Sequence, residues 1–254
     1  MSESVDRDFW APLRSSTQAR IGLGRAGDGL PTARVLEFRA AHAAARDAVH
    51  QPLDVPALAA DVERLGLGAP VVVESRVRDR GEYLRRPDLG RVPADLSAVP
   101  AVGADVGVVL ADGLSPRALT EHGVALLEAI VAALPRHLSV ATPVIATSAR
   151  VALGDHIGAA LGVRTLLVLI GERPGLSVAD SLGVYLTHEP RPGRADAERN
   201  CVSNIHPPEG LGYAAAACVV AGLVDGARRL GRSGVDLKDT TRGDRLDSAT
   251  VGEL

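Results

Sequence analysis

Glu172 and Arg173 stand together at the end of RTLLVLIGERPGL, the most hydrophobic strand-like run of a 254-residue chain. A carboxylate accepts hydrogen bonds and a guanidinium donates them, so a rigid strand that ends in both can present a grip for a polar ligand. The alternative is a polar turn closed by Pro174 and Gly175, and the local pattern leaves both readings open. Ser115, in DGLS, offers a hydroxyl after a second apolar run. It lies outside the G-x-S-x-G frame, and capping the helix that begins at Pro116 is the expected role. Cys201, in RNCVSN, would attack an electrophile only if a neighbouring cation lowered its pKa; a small buried residue is expected instead. The seven histidines show no H-E-x-x-H or H-x-x-x-H spacing, so no metal site is expected. Arg76, Arg78, Arg80, Arg85, Arg86 and Arg91 could hold a phosphate, but such a run is expected to be a solvated or interfacial face.

Two motif fragments fail on context. GLGRAG, Gly22 to Gly27, spells G-x-G-x-x-G. A dinucleotide site needs a buried strand before it and a helix opening on it. The preceding PLRSSTQARI has no β-branched apolar run, and the next helix is expected at Pro31 and Thr32. GDHIGAALG sets Asp155, His156 and Gly158 in D-H-x-G order. The spacing departs from the D-x-H-x-x-G by which some corrinoid proteins place a histidine on cobalt.

The elements that must position these residues follow from periodicity. Residues 1–30 read as an irregular arm. PTARVLEFRAAHAAARDAVH reads as a helix with Val35, Leu36, Phe38 and Ala41 on one face, and DVPALAADVERLG as a second. APVVVESRV reads as a strand, followed by a long arginine-rich connection to about residue 100. From there the order is strand (Val106 to Ala111), helix, strand (TPVIATSARV), short helix ending at Gly162, strand (RTLLVLIG), strand (LGVYLTHEP) and a long helix from about Glu209 to Leu230. Near-continuous apolar strands separated by helices predict an α/β fold, with a parallel sheet covered on both faces. Ligands of such sheets bind beyond the carboxyl ends of the strands, which selects the loops 112–115, 147–151 and 171–176. Residues 239–254 read as a frayed tail.

Composition narrows the class of function. Hydrophobic residues make up 46% of the chain, enough for a large core. A net charge of −3 without a basic stripe argues against nucleic acid. Two cysteines fit a reducing compartment. MSESVDRDFW does not read as a secretory leader, and YAAAACVVAGLV is too short to span a bilayer, so a soluble cytoplasmic protein is expected.

Six segments together resemble the small subunit of ethanolamine ammonia-lyase: TQARIGLGRAG, HAAARDAV, VESRVRDRGEYLRRPDLGR, VVLADGLS, LIGERPGLSVADSLGVYLT and ERNCVSNIHPPEGL. The resemblance runs in the family's order from about residue 9 to 230. It implies conversion of ethanolamine to acetaldehyde and ammonia with adenosylcobalamin. It also implies a large TIM-barrel partner subunit that holds most of the substrate, within a higher hetero-oligomer. In fold it implies a Rossmann-like cobalamin-binding domain over residues 101–238, preceded by an N-terminal helical region over 1–100. Cofactor contacts carry over to Val151, Glu172 and Cys201, and no catalytic residue or metal ligand falls on this chain. The cobalt then keeps its own dimethylbenzimidazole, because D-H-x-G does not encode a replacement. A related eliminase such as a diol dehydratase is the alternative, disfavoured by GERPGL and NCVSNI. Family members that enter bacterial microcompartments carry a longer N-terminus, so free cytoplasm is expected here.

Overall fold

The structure, a computed structural model, describes residues 9–241; residues 242–254 of the expected frayed tail lie outside the described residues. The chain runs α1 (Ala11–Arg14), α2 (Thr32–His50), α3 (Val55–Glu63), β1 (Val71–Glu74), α4 (Arg80–Arg85) and β2 (Val106–Ala111). It continues through α5 (Pro116–Ala133), β3 (Val144–Thr147), α6 (Leu153–Leu161), β4 (Thr165–Gly171), β5 (Leu182–His188), β6 (Asn200–Ile205) and α7 (Tyr213–Leu230). The six strands form one sheet in the order β1-β3-β2-β4-β5-β6. Thus β1, from the arginine-rich half of the chain, is an edge strand of the same sheet as β2.

β2 and β4 are buried along their whole length, which is why they read as unbroken apolar runs. Val106, Val108 and Leu110 face a core shared with α5 and α7, while Val109 and Ala111 face one shared with α6. Ser115 accepts a hydrogen bond from the Ala118 amide and caps α5 as expected. Gly162, with φ of +68°, stops α6.

The all-parallel sheet is corrected. β1, β3, β2 and β4 are parallel, but β5 runs antiparallel to β4, and β6 antiparallel to β5. A parallel return requires a long crossover, usually helical, and residues 172–181 between β4 and β5 contain no helix. The expected face of α2 is corrected in part: Leu36 is 57% and Phe38 45% exposed. Val35 and Ala41 of that face are half-buried, and the covered side continues through Ala44, Ala45 and Ala48.

β5 supplies a pH-sensitive residue. His188 is buried opposite Thr165, with its Nδ1 3.3 Å from Thr165 Oγ1. Burial lowers its pKa first; Glu189 opposes the shift, and Arg228, Arg194 and Arg164 add to it. The unfolded chain takes up this proton near pH ~6.5, while the fold keeps the ring neutral. Stability from His188 is therefore complete above that value and declines as pH falls towards the lowered folded pKa. Urea midpoints measured from about pH 7.5 to about pH 5.5 should fall more for the wild type than for His188→Gln. Equal falls would show that His188 takes no part.

Candidate functional site

The chain passes from β2 through α5 to β3 on one side, then returns through α6 to β4 on the other side of β2. At such a reversal the two connections leave in opposite directions, and a crevice opens beyond the strand ends. Here it lies between the ends of β2 and β4, about 350 Å³ in volume, with Leu114, Val151 and Glu172 in its walls. Glycines bring the two strand ends together. Gly113 has φ of +56°, and a Cβ on it would stand 2.3 Å from the Gly171 carbonyl oxygen. A Cβ on Gly171 would stand 2.1 Å from the Ser115 carbonyl oxygen. The Leu114 amide donates to the Gly171 oxygen at 3.0 Å across that contact.

Asp112 fixes the neighbouring wall. Its Oδ2 accepts from the Ser148 amide at 2.8 Å and its Oδ1 from the Ala149 amide at 2.9 Å, while Arg80 Nη1 lies 3.4 Å from Oδ2. Burial pushes the Asp112 carboxyl up, and the Ala149 amide, Arg80 and the Ser148 amide pull it down. Ser148 has φ of +49°, a strained conformation for a residue with a side chain, and Asp112 holds it there. Ser75 Oγ donates to the Ser148 carbonyl at 2.8 Å, and the Tyr83 hydroxyl to the Ala149 carbonyl at 2.9 Å. The β3 loop that carries Arg150 and Val151 is thus tied to β1, β2 and α4 at once.

The Tyr83 ring is fully buried against two cations, with the Arg80 guanidinium 4.6 Å and the Arg150 guanidinium 4.4 Å from its centroid. Burial raises the Tyr83 pKa, so the hydroxyl stays a donor. Burial likewise lowers the Arg80 pKa, against the pull of Asp112. The other arginines of that run behave as expected: Arg78 pairs with Glu82 and Arg86 with Asp88 at the surface. Sequence reasoning missed α4 and with it Tyr83. The usable signal was Asp79-Arg80-Gly81-Glu82, since the Asp79 side chain caps the Glu82 amide at 2.8 Å.

The structure brings Val151 and Glu172 into one crevice and sets Cys201 apart from it. Glu172 Oε2 accepts from Ser181 Oγ at 2.5 Å and from the Asn204 amide at 3.3 Å. Cys201 is exposed, which corrects the expectation of a buried residue. It lies on β6 opposite Tyr185, whose ring reaches the crevice. The surrounding protein pushes the thiol pKa up, a hydrogen bond with Tyr185 pulls it down, and the Glu172 charge pushes it up again. The net rise makes it a poor nucleophile. A larger hollow of about 800 Å³ borders Cys201 between β6, α7 and residues 237–241. It lies along the sheet edge, away from the parallel strand ends, so the smaller crevice is the better candidate.

The two motif fragments prove structural. Asp155 is buried in a two-pronged ion pair with Arg199, at 2.6 and 2.7 Å. GLGRAG follows no strand and opens no helix. Its arm packs beside the crevice loop instead: Arg20 Nη2 donates to the Leu176 carbonyl, and Ser177 Oγ to the Gln18 carbonyl. No group of three or more histidines, cysteines, aspartates or glutamates among the described residues is placed to hold a metal. No helix there is long and apolar enough to cross a membrane.

Residues 7–238 match the family of the ethanolamine ammonia-lyase light chain (EutC). The chain is 70% identical over 244 residues to the ethanolamine ammonia-lyase small subunit of Rhodococcus erythropolis, covering 96% of this chain and 95% of that one. It is 48% identical over 256 residues to the protein of the same name from Xanthomonas campestris pv. campestris, with 97% and 93% covered. To that of Azotobacter vinelandii it is 47% identical over 252 residues, with 96% and 93% covered. Matches of this length and identity settle the family: the chain belongs to the ethanolamine ammonia-lyase light chains.

Proposed function

We propose that this chain acts as the small subunit of a cytoplasmic ethanolamine ammonia-lyase. Joined to a large subunit, it serves the conversion of ethanolamine to acetaldehyde and ammonia, and its crevice receives one edge of adenosylcobalamin. The observation that carries the reading is the crevice itself, which gathers Val151 and Glu172 at the β2–β4 strand ends. Its lining suits a corrinoid's rim. Leu114, Val151 and Ile170 offer apolar surface, and Glu172 Oε1 has no hydrogen-bond partner among the described residues and so can accept from a corrin amide. A cavity of about 350 Å³ is too small to enclose the whole cofactor, which agrees with a site completed by the large subunit. Residues 101–238 then form the Rossmann-like cobalamin-binding unit, with β1 added at its edge. Cys201 acts through Tyr185.

The cofactor supplies the radical chemistry when bound. This chain binds, orients and excludes water. The assembled complex with adenosylcobalamin should release acetaldehyde and ammonia from ethanolamine, and the purified chain alone should release neither. Turnover by this chain alone, or none by the complex, overturns the proposal. Glu172→Ala should weaken adenosylcobalamin binding to the complex by about 1 kcal/mol, roughly fivefold, with an almost unchanged thermal midpoint. An unchanged dissociation constant would remove Glu172 from the site.

A further inference from the structure

The crevice holds more positive charge than its own carboxylates neutralise. Arg173, exposed on the lip, makes no hydrogen bond or ion pair among the described residues. Arg150 has no carboxylate partner there either: its Nη2 reaches only the Tyr83 carbonyl at 3.4 Å, and its Nε is buried without an acceptor. Behind them Arg80 Nη2 is also buried without an acceptor, and the carboxylate of its partner Asp112 is shared with two backbone amides. Glu172 is the one carboxylate in the crevice wall, and its Oε2 is already engaged by Ser181 and Asn204. Arg150 Nε and Arg80 Nη2 sit in or behind the wall without an acceptor, and two guanidinium charges beside one carboxylate favour an anion over a neutral group. Arginine is the side chain whose forked donors fit phosphate oxygens.

We infer that Arg150 and Arg173 form an anion subsite for a phosphodiester, the group that links the corrin ring to its nucleotide base. This assignment rests on the cobalamin reading of the crevice. It divides the work: Glu172 takes a corrin amide on one side, and the two arginines take the phosphodiester on the other. Tyr83 positions Arg150 by stacking against its guanidinium, with the Arg80 guanidinium also over the ring.

The test compares three ligands on the assembled complex by equilibrium titration of corrinoid absorbance. They are adenosylcobalamin, adenosylcobinamide phosphate, and adenosylcobinamide, which lacks both phosphate and base. Arg150→Gln and Arg173→Gln should each weaken the two phosphate-bearing ligands about tenfold or more, as expected for a lost charge-assisted bond, and leave adenosylcobinamide unchanged. Arg150→Lys should keep part of the affinity. Inorganic phosphate should compete with adenosylcobalamin and not with adenosylcobinamide. Arg173 is exposed and makes no hydrogen bond or ion pair among the described residues, so its variant stays informative even if Arg150→Gln proves unstable. Equal weakening of all three ligands, or none, overturns the subsite. So does phosphate binding that depends on the arginines while the corrinoids are indifferent to them, because the subsite would then serve a free anion. Glu172→Ala separates the two readings. If it weakens all three ligands while the arginine variants fail to discriminate, only the subsite falls. If neither Glu172 nor the arginines matter, the corrinoid placement falls with it.

Discussion

Asp155→Ala is expected to cost about 3–5 kcal/mol of folding stability. Asp155 is 1% and Arg199 2% exposed, and their side chains meet through two hydrogen bonds. Arg199 further donates to Thr187 Oγ1 at 3.0 Å and to the Arg194 carbonyl at 2.9 Å. Burial alone would lower the Arg199 pKa, but the hydrogen bonds and charge of Asp155, followed by those of Asp196, outweigh it and raise the pKa. Removing the Asp155 carboxylate leaves the buried cation with only the exposed Asp196, 3.6 Å from Nε, as a charged partner, and the cost is chiefly that of the abandoned guanidinium. An apolar pair, Asp155→Leu with Arg199→Met, should recover much of the loss, since a buried ion pair owes little of its worth to net stabilisation. Urea unfolding of all three proteins gives the comparison, with equal slopes showing that only stability has changed. A loss below about 1 kcal/mol in Asp155→Ala would mean that water reaches Arg199, and the account of a dry pair would be wrong.

That pair also shows where reading from sequence stops. Asp155 sits in a motif fragment that invites a cofactor role, and its partner lies 44 residues away, so nothing local reveals an ion pair. β2, β4 and α5 were legible because their burial is continuous or periodic along the chain. β6 was not: NCVSNI buries only Val202 and Ile205, and an edge strand of that kind looks like a loop. The direction of β5 depended on the absence of a helix between it and β4, a fact of chain length more than of apolar pattern.

The site divides along the same line. Strand ends in a parallel sheet converge by geometry, so the loops holding Val151 and Glu172 could be chosen before any contact was known. The supports of those loops are long-range. Arg80 meets Asp112 across 32 residues and Tyr83 meets Ala149 across 66. In sequence, Arg80 is one of six arginines in a polar run, and its turn inward follows from Asp112, which the run does not contain.

Asp112→Ala should therefore have two effects, both large. It strips acceptors from the Ser148 amide, the Ala149 amide and Arg80 in one change. Two amides left unpaired, and a half-buried Arg80 that keeps only the Val49 carbonyl on its Nε, put the loss at about 3–5 kcal/mol, more than any single one of these bonds is worth. The second effect is local. Ser148 has lost what holds it at φ of +49°, so the loop that presents Arg150 and Val151 should relax. Hydrogen exchange should show the Ser148 and Ala149 amides protected in the wild type and fast in the variant. Corrinoid binding by the assembled complex should weaken more than it does in Glu172→Ala, because a whole wall moves where there only one acceptor is lost. Asp112→Asn provides the intermediate case. Its oxygen can still serve one amide, but its NH2 group faces a second donor, and the charge beside Arg80 is gone. The expected order of stability and of affinity is wild type, then Asp112→Asn, then Asp112→Ala. Unchanged exchange at Ser148 and Ala149 in the alanine variant would show that the loop is held by Ser75 and Tyr83 alone, and Asp112 would lose its place as the support of the site.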